Sequence, residues 1–142
     1  MVKNGQLFLG EYEPNLTKGF RVALPKRIRD ALLNEKEVIL SKGFEGCIFG
    51  YSKSFFELES EKTLISNIAD KHSRFLKRFL FGSAFEVEFD SQGRIILPKI
   101  LVQEAQILQE SQVILIGAGD HFEIWNRENW KLINNEMQKE LL

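Results

Sequence analysis

Asp90-Ser91-Gln92-Gly93-Arg94-Ile95-Ile96-Leu97-Pro98 combines an acidic turn opener, a glycine, one arginine, an apolar triplet and a proline. A looser copy stands upstream as Thr17-Lys18-Gly19-Phe20-Arg21-Val22-Ala23-Leu24-Pro25, with the same Arg-to-Pro spacing, 73 positions earlier. Such a stretch reads as a tight turn entering a short strand. The proline then opens a helix, because its fixed φ suits the first turn and its missing N–H is no loss there. Two copies are too few for a solenoid, which needs about three or more repeats.

Working outward, the flanks of the two copies follow one plan: strand, turn, strand, short helix, strand, turn, strand, helix. Upstream of the first turn Leu7–Glu13 reads as a strand, and Phe85–Phe89 alternates apolar and acidic residues before the second. Val38–Leu40 and Val113–Ile116 are apolar runs of strand length. They are followed by turns at Gly43–Gly46 and Gly117–Asp120, and then by Cys47–Tyr51 and Phe122–Trp125. The later landmarks pair at an offset of 74: Gly43 with Gly117, Tyr51 with Trp125, Phe56 with Trp130. Ser54-Phe55-Phe56-Glu57 has capping-box spacing. A helical middle follows, with Leu64, Ile68, Phe75, Leu76 and Phe79 on one face and a stop at Gly82. Asn126 is placed to cap a last helix with Trp130, Ile133, Met137 and Leu141 on one side.

Four short strands per half would leave bare sheet edges, and interleaving two halves into a small barrel removes them. The expectation is therefore a mainly β chain with short helices, an α+β fold in which a pseudo-symmetric interleaved barrel carries helices after each half. Residues 1–80 form the first half with its helical extension and residues 81–142 the second, sharing one core.

The chain has 142 residues, 44% hydrophobic, with twelve phenylalanines, enough for a sizeable core. No apolar run approaches the length of a membrane span. Met1–Gln6 holds one basic residue and no long apolar stretch follows, which predicts no signal peptide. The single cysteine, Cys47, lies in an apolar run and reads as a buried structural thiol, and a cytoplasmic protein follows. Net charge is −1, yet Lys18, Arg21, Lys26, Arg27 and Arg29 form a window of +5 with no acid, leaving −6 on the rest. Charge separated in this way suits one basic face, although a solvated helix start would look the same.

In the loops, Gly93 permits close approach of the backbone to a phosphate or groove, and Asp90 can hold its own turn by hydrogen bonds. Arg94 and its counterpart Arg21 offer planar donor forks suited to phosphate or to guanine O6 and N7. Lys18, Lys26 and Arg27 add charge beside them, while Gly19, Pro25 and Pro98 shape the turns. The alternative reading is that Asp90 and Arg94 only pair with each other across the turn. The Lys71–Arg78 run reads as a solvated helix face, His72 as a core-edge residue, and Trp125 and Trp130 as core anchors. Phe20, an aromatic at a turn tip, is either packed back on the core or an exposed contact residue.

Chemistry for an enzyme is scarce. No Cys-x-x-Cys, His-Glu-x-x-His, Gly-x-Ser-x-Gly or Walker motif occurs, so no catalytic residue, metal or cofactor is expected. Gly117-Ala118-Gly119 precedes a strand rather than a helix, and His121 beside Asp120 is a weak base candidate.

With these residues in view, the chain resembles the MraZ family, built from two tandem AbrB-like swapped-hairpin halves. The resemblance rests on Asp90–Pro98, Gly10-Glu11-Tyr12-Glu13, the Arg74–Gly82 run, Gly117, and Phe122-Glu123-Ile124-Trp125-Asn126. The first turn departs from the family pattern: Thr17 stands where the family has Asp and Phe20 where it has Gly, while Arg21 and Pro25 match. The resemblance implies a swapped-hairpin barrel and a transcriptional regulator, nucleoid-associated, that binds double-stranded DNA at repeated promoter elements upstream of the division and cell-wall genes. It also implies a homo-oligomeric ring, with no small-molecule substrate. An oligomeric protein-interaction module of the same fold, without DNA binding, is the rival reading.

Overall fold

Val22 and Ile95, the central residues of the two apolar triplets, lie opposite each other in an antiparallel pair, both buried. A computed structural model describes residues 7–33 and 35–142. The reading of Met1–Gln6 lies outside the described residues. The elements run β1 (Glu11–Tyr12), β2 (Leu16–Thr17), β3 (Arg21–Ala23), α1 (Lys26–Ala31), β4 (Glu37–Lys42), a 3-10 turn (Phe44–Gly46), β5 (Ile48–Ser52), α2 (Lys53–Leu64) and α3 (Lys71–Phe81). The plan then repeats with β6 (Phe85–Glu88), β7 (Arg94–Ile96), α4 (Lys99–Glu104), β8 (Val113–Gly117), β9 (Phe122–Asn126) and α5 (Arg127–Leu141).

The result is mixed α+β, with antiparallel strands in two sheets ordered β1-β8-β9-β5-β4-β6 and β2-β3-β7. The larger order reads the same when the two repeats are exchanged. β1 of the first repeat pairs with β8 of the second, and β6 of the second pairs with β4 of the first. Each repeat thus lends its leading strand to the other's hairpin, and β5–β9 and β3–β7 sit on the pseudo-twofold axis.

Among the described residues the strands form no closed ring, so the expected barrel closure is not what the ladders build. Shortness is the physical reason. β1 and β2 are two residues each, and the β6 edge carries Glu86 and Glu88, so the edges are blunted without closure.

Both repeats feed one core, in which Val22, Leu24, Ile28, Ile95, Leu97 and Leu101 meet β4, β8 and β9. A smaller cluster of Cys47, Phe49, Ile114 and Trp125 lies on the other side of the large sheet. Cys47 is buried and free as expected, with its thiol facing the Phe44 carbonyl at 3.4 Å, and burial pushes its pKa up.

Several local expectations shift. The strand expected over Leu7–Glu13 is reduced to two residues plus an isolated Phe8–Gly119 bridge. Ser52, not Ser54, caps α2 by accepting from the Phe55 N–H, because the helix follows β5 without a loop. The amide and hydroxyl of Ser54 donate instead to the Glu35 carboxylate. The helical middle is two helices. Asp70 caps α3, and in the break Ser66 Oγ donates to the Thr63 carbonyl while Asn67 Oδ1 accepts from the Ala69 N–H. Leu64, Ile68 and Phe75 are consequently exposed rather than packed, and so is His72. Asn126 caps α5 as expected. Lys42–Ile48 closes the first hairpin and Gly117–Phe122 the second, so Lys42, not Gly43, is the structural counterpart of Gly117.

Candidate nucleic-acid interface

In β3 and β7 the inward turn of Val22 and Ile95 sends Arg21, Ala23, Arg94 and Ile96 to the opposite face. Arg21 stands across from Ile96 and Ala23 across from Arg94. The two arginines therefore occupy a diagonal of one outward face, about 7 Å apart along the strand direction at the usual rise. Thr17, opposite Arg21 on β2, borders the same face. Each arginine is the first strand residue after its turn, so the two turns lie at opposite ends of the small sheet.

The second turn is held by one carboxylate. The backbone N–H groups of Gln92 and Arg94 donate to Asp90 Oδ1 at 2.8 and 2.9 Å, and Arg94 Nε donates to Oδ2 at 2.8 Å. These bonds, the Arg94 backbone N–H foremost, hold the Asp90 carboxyl below its ordinary pKa. Gly93 sits at φ +75, a left-handed position that only glycine takes without strain. Arg94 pairs with Asp90 through Nε, and its terminal nitrogens make no hydrogen bond among the described residues.

The first turn reaches a similar shape by other means. Thr17 Oγ1 donates to the Arg21 carbonyl at 3.3 Å, and Arg21 Nη1 donates to the Lys18 carbonyl at 2.9 Å. Gly19 and Phe20 both take positive φ, +81 and +59. Phe20 packs back on the core, which settles the two readings of it, and its carbonyl accepts from the Leu97 N–H at 3.0 Å. The loop that lacks an acidic opener is thus anchored by an aromatic ring and by its own arginine.

Lys18 is exposed at the tip of this turn, and Arg27 is exposed on α1 with no ion pair among the described residues. Lys26 is exposed too, but its ammonium meets Asp30 at 2.9 Å, which offsets its charge. Pro25 and Pro98 stand one residue before their helices, and their carbonyls accept the first helical bonds, from Ile28 and Arg29 and from Leu101 and Val102.

Arg29 is the residue that sequence reasoning left out of the site. Its Nε donates to the Leu24 carbonyl at 3.1 Å, and its Nη1 lies 3.3 Å from where a Cβ on Gly93 would stand. A first-repeat cation therefore overhangs the second-repeat turn. Its place in the basic window was the available signal; its nearness to Gly93 follows only from the β3–β7 pairing.

The arrangement offers planar donor forks and lysines on a short sheet with two tight turns, which suits anionic backbones and base edges. The base candidate His121 is differently employed. Its Nδ1 faces Asp120 at 2.7 Å and its Nε2 faces Glu123 at 2.8 Å, so both ring nitrogens are engaged. Among the described residues no group of three or more His, Cys, Asp or Glu side chains is placed to hold a metal ion, and no helix is long and apolar enough to cross a membrane.

Comparison with known proteins adds to this geometry. A family profile described as "MraZ protein, putative antitoxin-like" matches twice, over residues 7–79 and 80–141. A protein named transcriptional regulator MraZ from Roseiflexus sp. (strain RS-1) is 35% identical over 131 residues, covering 92% of this chain and 89% of that one. One of the same name from Pediococcus pentosaceus is 35% identical over 125 residues, covering 88% and 85%. A third, from Caldicellulosiruptor saccharolyticus, is 37% identical over 125 residues, covering 88% and 85%.

Proposed function

The chain belongs to the MraZ family, and from that premise we propose that it is a sequence-specific DNA-binding transcriptional regulator. The observation that carries this reading is the pair Arg21 and Arg94, set by a pseudo-twofold on one outward sheet face, each beside its own tight turn. Strands and their turns can enter a major groove and read base edges with side chains of this kind. In the proposed interface Arg94 and Arg21 contact the DNA directly, with Lys18, Arg27 and Arg29 on phosphates. Lys26 contributes less because Asp30 competes for it. Gly93 gives backbone access, while Asp90, Gly19, Pro25 and Pro98 hold the turns in shape.

We further propose that residues 1–80 and 81–142 act as two AbrB-like swapped-hairpin halves of one unit. The exchange of leading strands between repeats supports this. One such face offers few phosphate contacts, and affinity at a site grows with their number. A homo-oligomeric ring that presents several faces to repeated promoter elements upstream of the division and cell-wall genes would supply them by multivalency. The reading assigns no catalytic step and places the protein in the cytoplasm, on the nucleoid.

Titrating a repeat-bearing duplex against a shuffled duplex of equal length, at several salt concentrations, tests the proposal. Preference for the repeats, with affinity falling steeply as salt rises, is expected. Equal, salt-insensitive binding, or none at all, would favour the rival protein-interaction module.

A further inference from the structure

The side of the large sheet turned away from the shared core is only partly covered. Cys47, Phe49, Ile114 and Trp125 are buried there, with Ile116, Trp130 and Ile133 packed against them. Beside α5 a groove of about 670 Å³ stays open, lined by Trp130, Ile133, Met137 and Leu141 of that helix and by Ile116 of β8. Met137 is 40% and Leu141 75% exposed, a large apolar strip along nearly three helical turns. The first repeat shows what fits such a seat. Its Tyr51–Phe56 pair, with ring centroids 5.5 Å apart, is the counterpart of Trp125–Trp130 at 5.6 Å, and α3 packs beside it with Phe81 edge-on to Phe56 at 6.1 Å. No helix among the described residues takes the equivalent place in the second repeat.

Charge narrows the occupant. Glu136 and Glu140 of α5, Glu11 of β1 and Glu45 of the 3-10 turn line the groove, which holds no lysine, arginine or histidine. None of the four forms an ion pair among the described residues. Glu123, also in the lining, is already engaged by His121 and by the Trp125 indole N–H. Like charges around one apolar strip repel each other, and cations seated among them relieve that repulsion. An apolar floor with an acidic rim therefore suits a helix that carries a row of large apolar side chains flanked by lysines or arginines.

The described helices of this chain do not supply that row. α3 is basic, but Phe75 is its one large exposed apolar side chain, and Arg74 and Lys77 are turned back on loop carbonyls. In α2 the acids Glu57, Glu59 and Glu61 outnumber Lys53 and Lys62, and α1 and α4 have six residues each, under two turns. We propose that the groove beside α5 is a docking site for a basic amphipathic helix of a different protein, with Trp130 as its apolar anchor. Tryptophan in a partly desolvated seat is well suited to that part. The groove and the β2–β3–β7 sheet lie on opposite sides of the large sheet, so occupancy of one leaves the other open.

Trp125 and Trp130 are the two tryptophans of the chain, so their fluorescence reports on the groove. The probe is a synthetic peptide of about 15 residues, without tryptophan, with leucines on one helical face and lysines elsewhere. Its control carries glutamate for every lysine. Titrating the full chain should give a saturable emission change with the basic peptide and none with the acidic one. Glu136→Lys/Glu140→Lys and, separately, Met137→Ser should each weaken peptide binding about tenfold or more. These side chains are exposed, so folding should persist, which circular dichroism checks. Glu57→Lys/Glu61→Lys, the same charge change on α2, should bind the peptide like the wild type. Absence of binding, or equal binding by the wild type and both lysine variants, would overturn the proposal. Light scattering during the titration separates the remaining occupant. An unchanged particle mass supports a foreign helix, whereas a fall in mass as the peptide binds would give the groove to a second copy and overturn the proposal.

Discussion

The Arg94 side chain gives its Nε hydrogen to Asp90, and its terminal nitrogens make no hydrogen bond among the described residues. Orientation by a neighbouring carboxylate lowers the entropy lost when the fork engages a ligand. Asp90→Ala should therefore weaken DNA binding while the far-UV spectrum stays unchanged, and undiminished affinity would show that the carboxylate does not order the loop. The Asp90 carboxyl is held below its ordinary range in the folded chain. Its contribution is thus fully present above the unfolded value and lost as pH falls through the lower folded one, so loop order does not vary with pH near neutrality. His121 runs the other way. Burial lowers its pKa, but hydrogen bonds and charges from Glu123 and Asp120 outweigh burial and raise it above its usual 6.5. Its stabilisation is complete below that value and disappears as pH rises through the higher folded pKa. Comparing Tm against pH for the wild type and His121→Gln should show curves that converge toward alkaline pH. Parallel curves would mean that the imidazolium contributes nothing.

At the scale of elements, caps and close approaches fix the boundaries. Ser52 and Asn126 accept from Phe55 and Asn129 at equivalent positions in the two repeats. Ser52→Ala should cost about 1 kcal/mol, read as a lowered urea midpoint. Gly50 in β5 faces the Phe122 ring on β9, where an added Cβ would overlap the ring. Gly50→Ala should cost about 1–3 kcal/mol by overpacking, and an unchanged midpoint would contradict the tight β5–β9 contact. Most strands, the short helices and the α5 cap were legible in the sequence, because apolar runs, turn residues and the Arg-to-Pro spacing are local signals. The break between α2 and α3 was not. The apolar period continues through Leu64, Ile68 and Phe75, yet Ser66, Asn67 and Asp70 satisfy backbone groups locally and end one helix before starting the next. The apolar period set those side chains on one helical face, and the structure leaves Leu64, Ile68 and Phe75 exposed.

For the whole molecule, the repeat predicted two related halves, but not which strand pairs with which. The exchange of β1 and β6 is a long-range choice that no local pattern encodes, and it leaves two sheets where a closed barrel was expected. The candidate interface was partly legible for a related reason, the β3–β7 pairing. Arg21 and Arg94 were found by motif, while their common face and the arrival of Arg29 beside Gly93 depend on β3 lying against β7. The acidic groove beside α5 was likewise hidden, since its glutamates come from four separate places in the chain. The central claim is that the β2–β3–β7 face is the DNA-reading surface. The most direct test is the salt-dependent affinity of Arg94→Ala and Lys71→Ala for a repeat-bearing duplex, each compared with wild type. Arg94→Ala should lose about 1–3 kcal/mol together with preference for the repeat, and Lys71→Ala should retain that preference. Retention of repeat preference by Arg94→Ala, or equal losses in the two variants, would contradict the account.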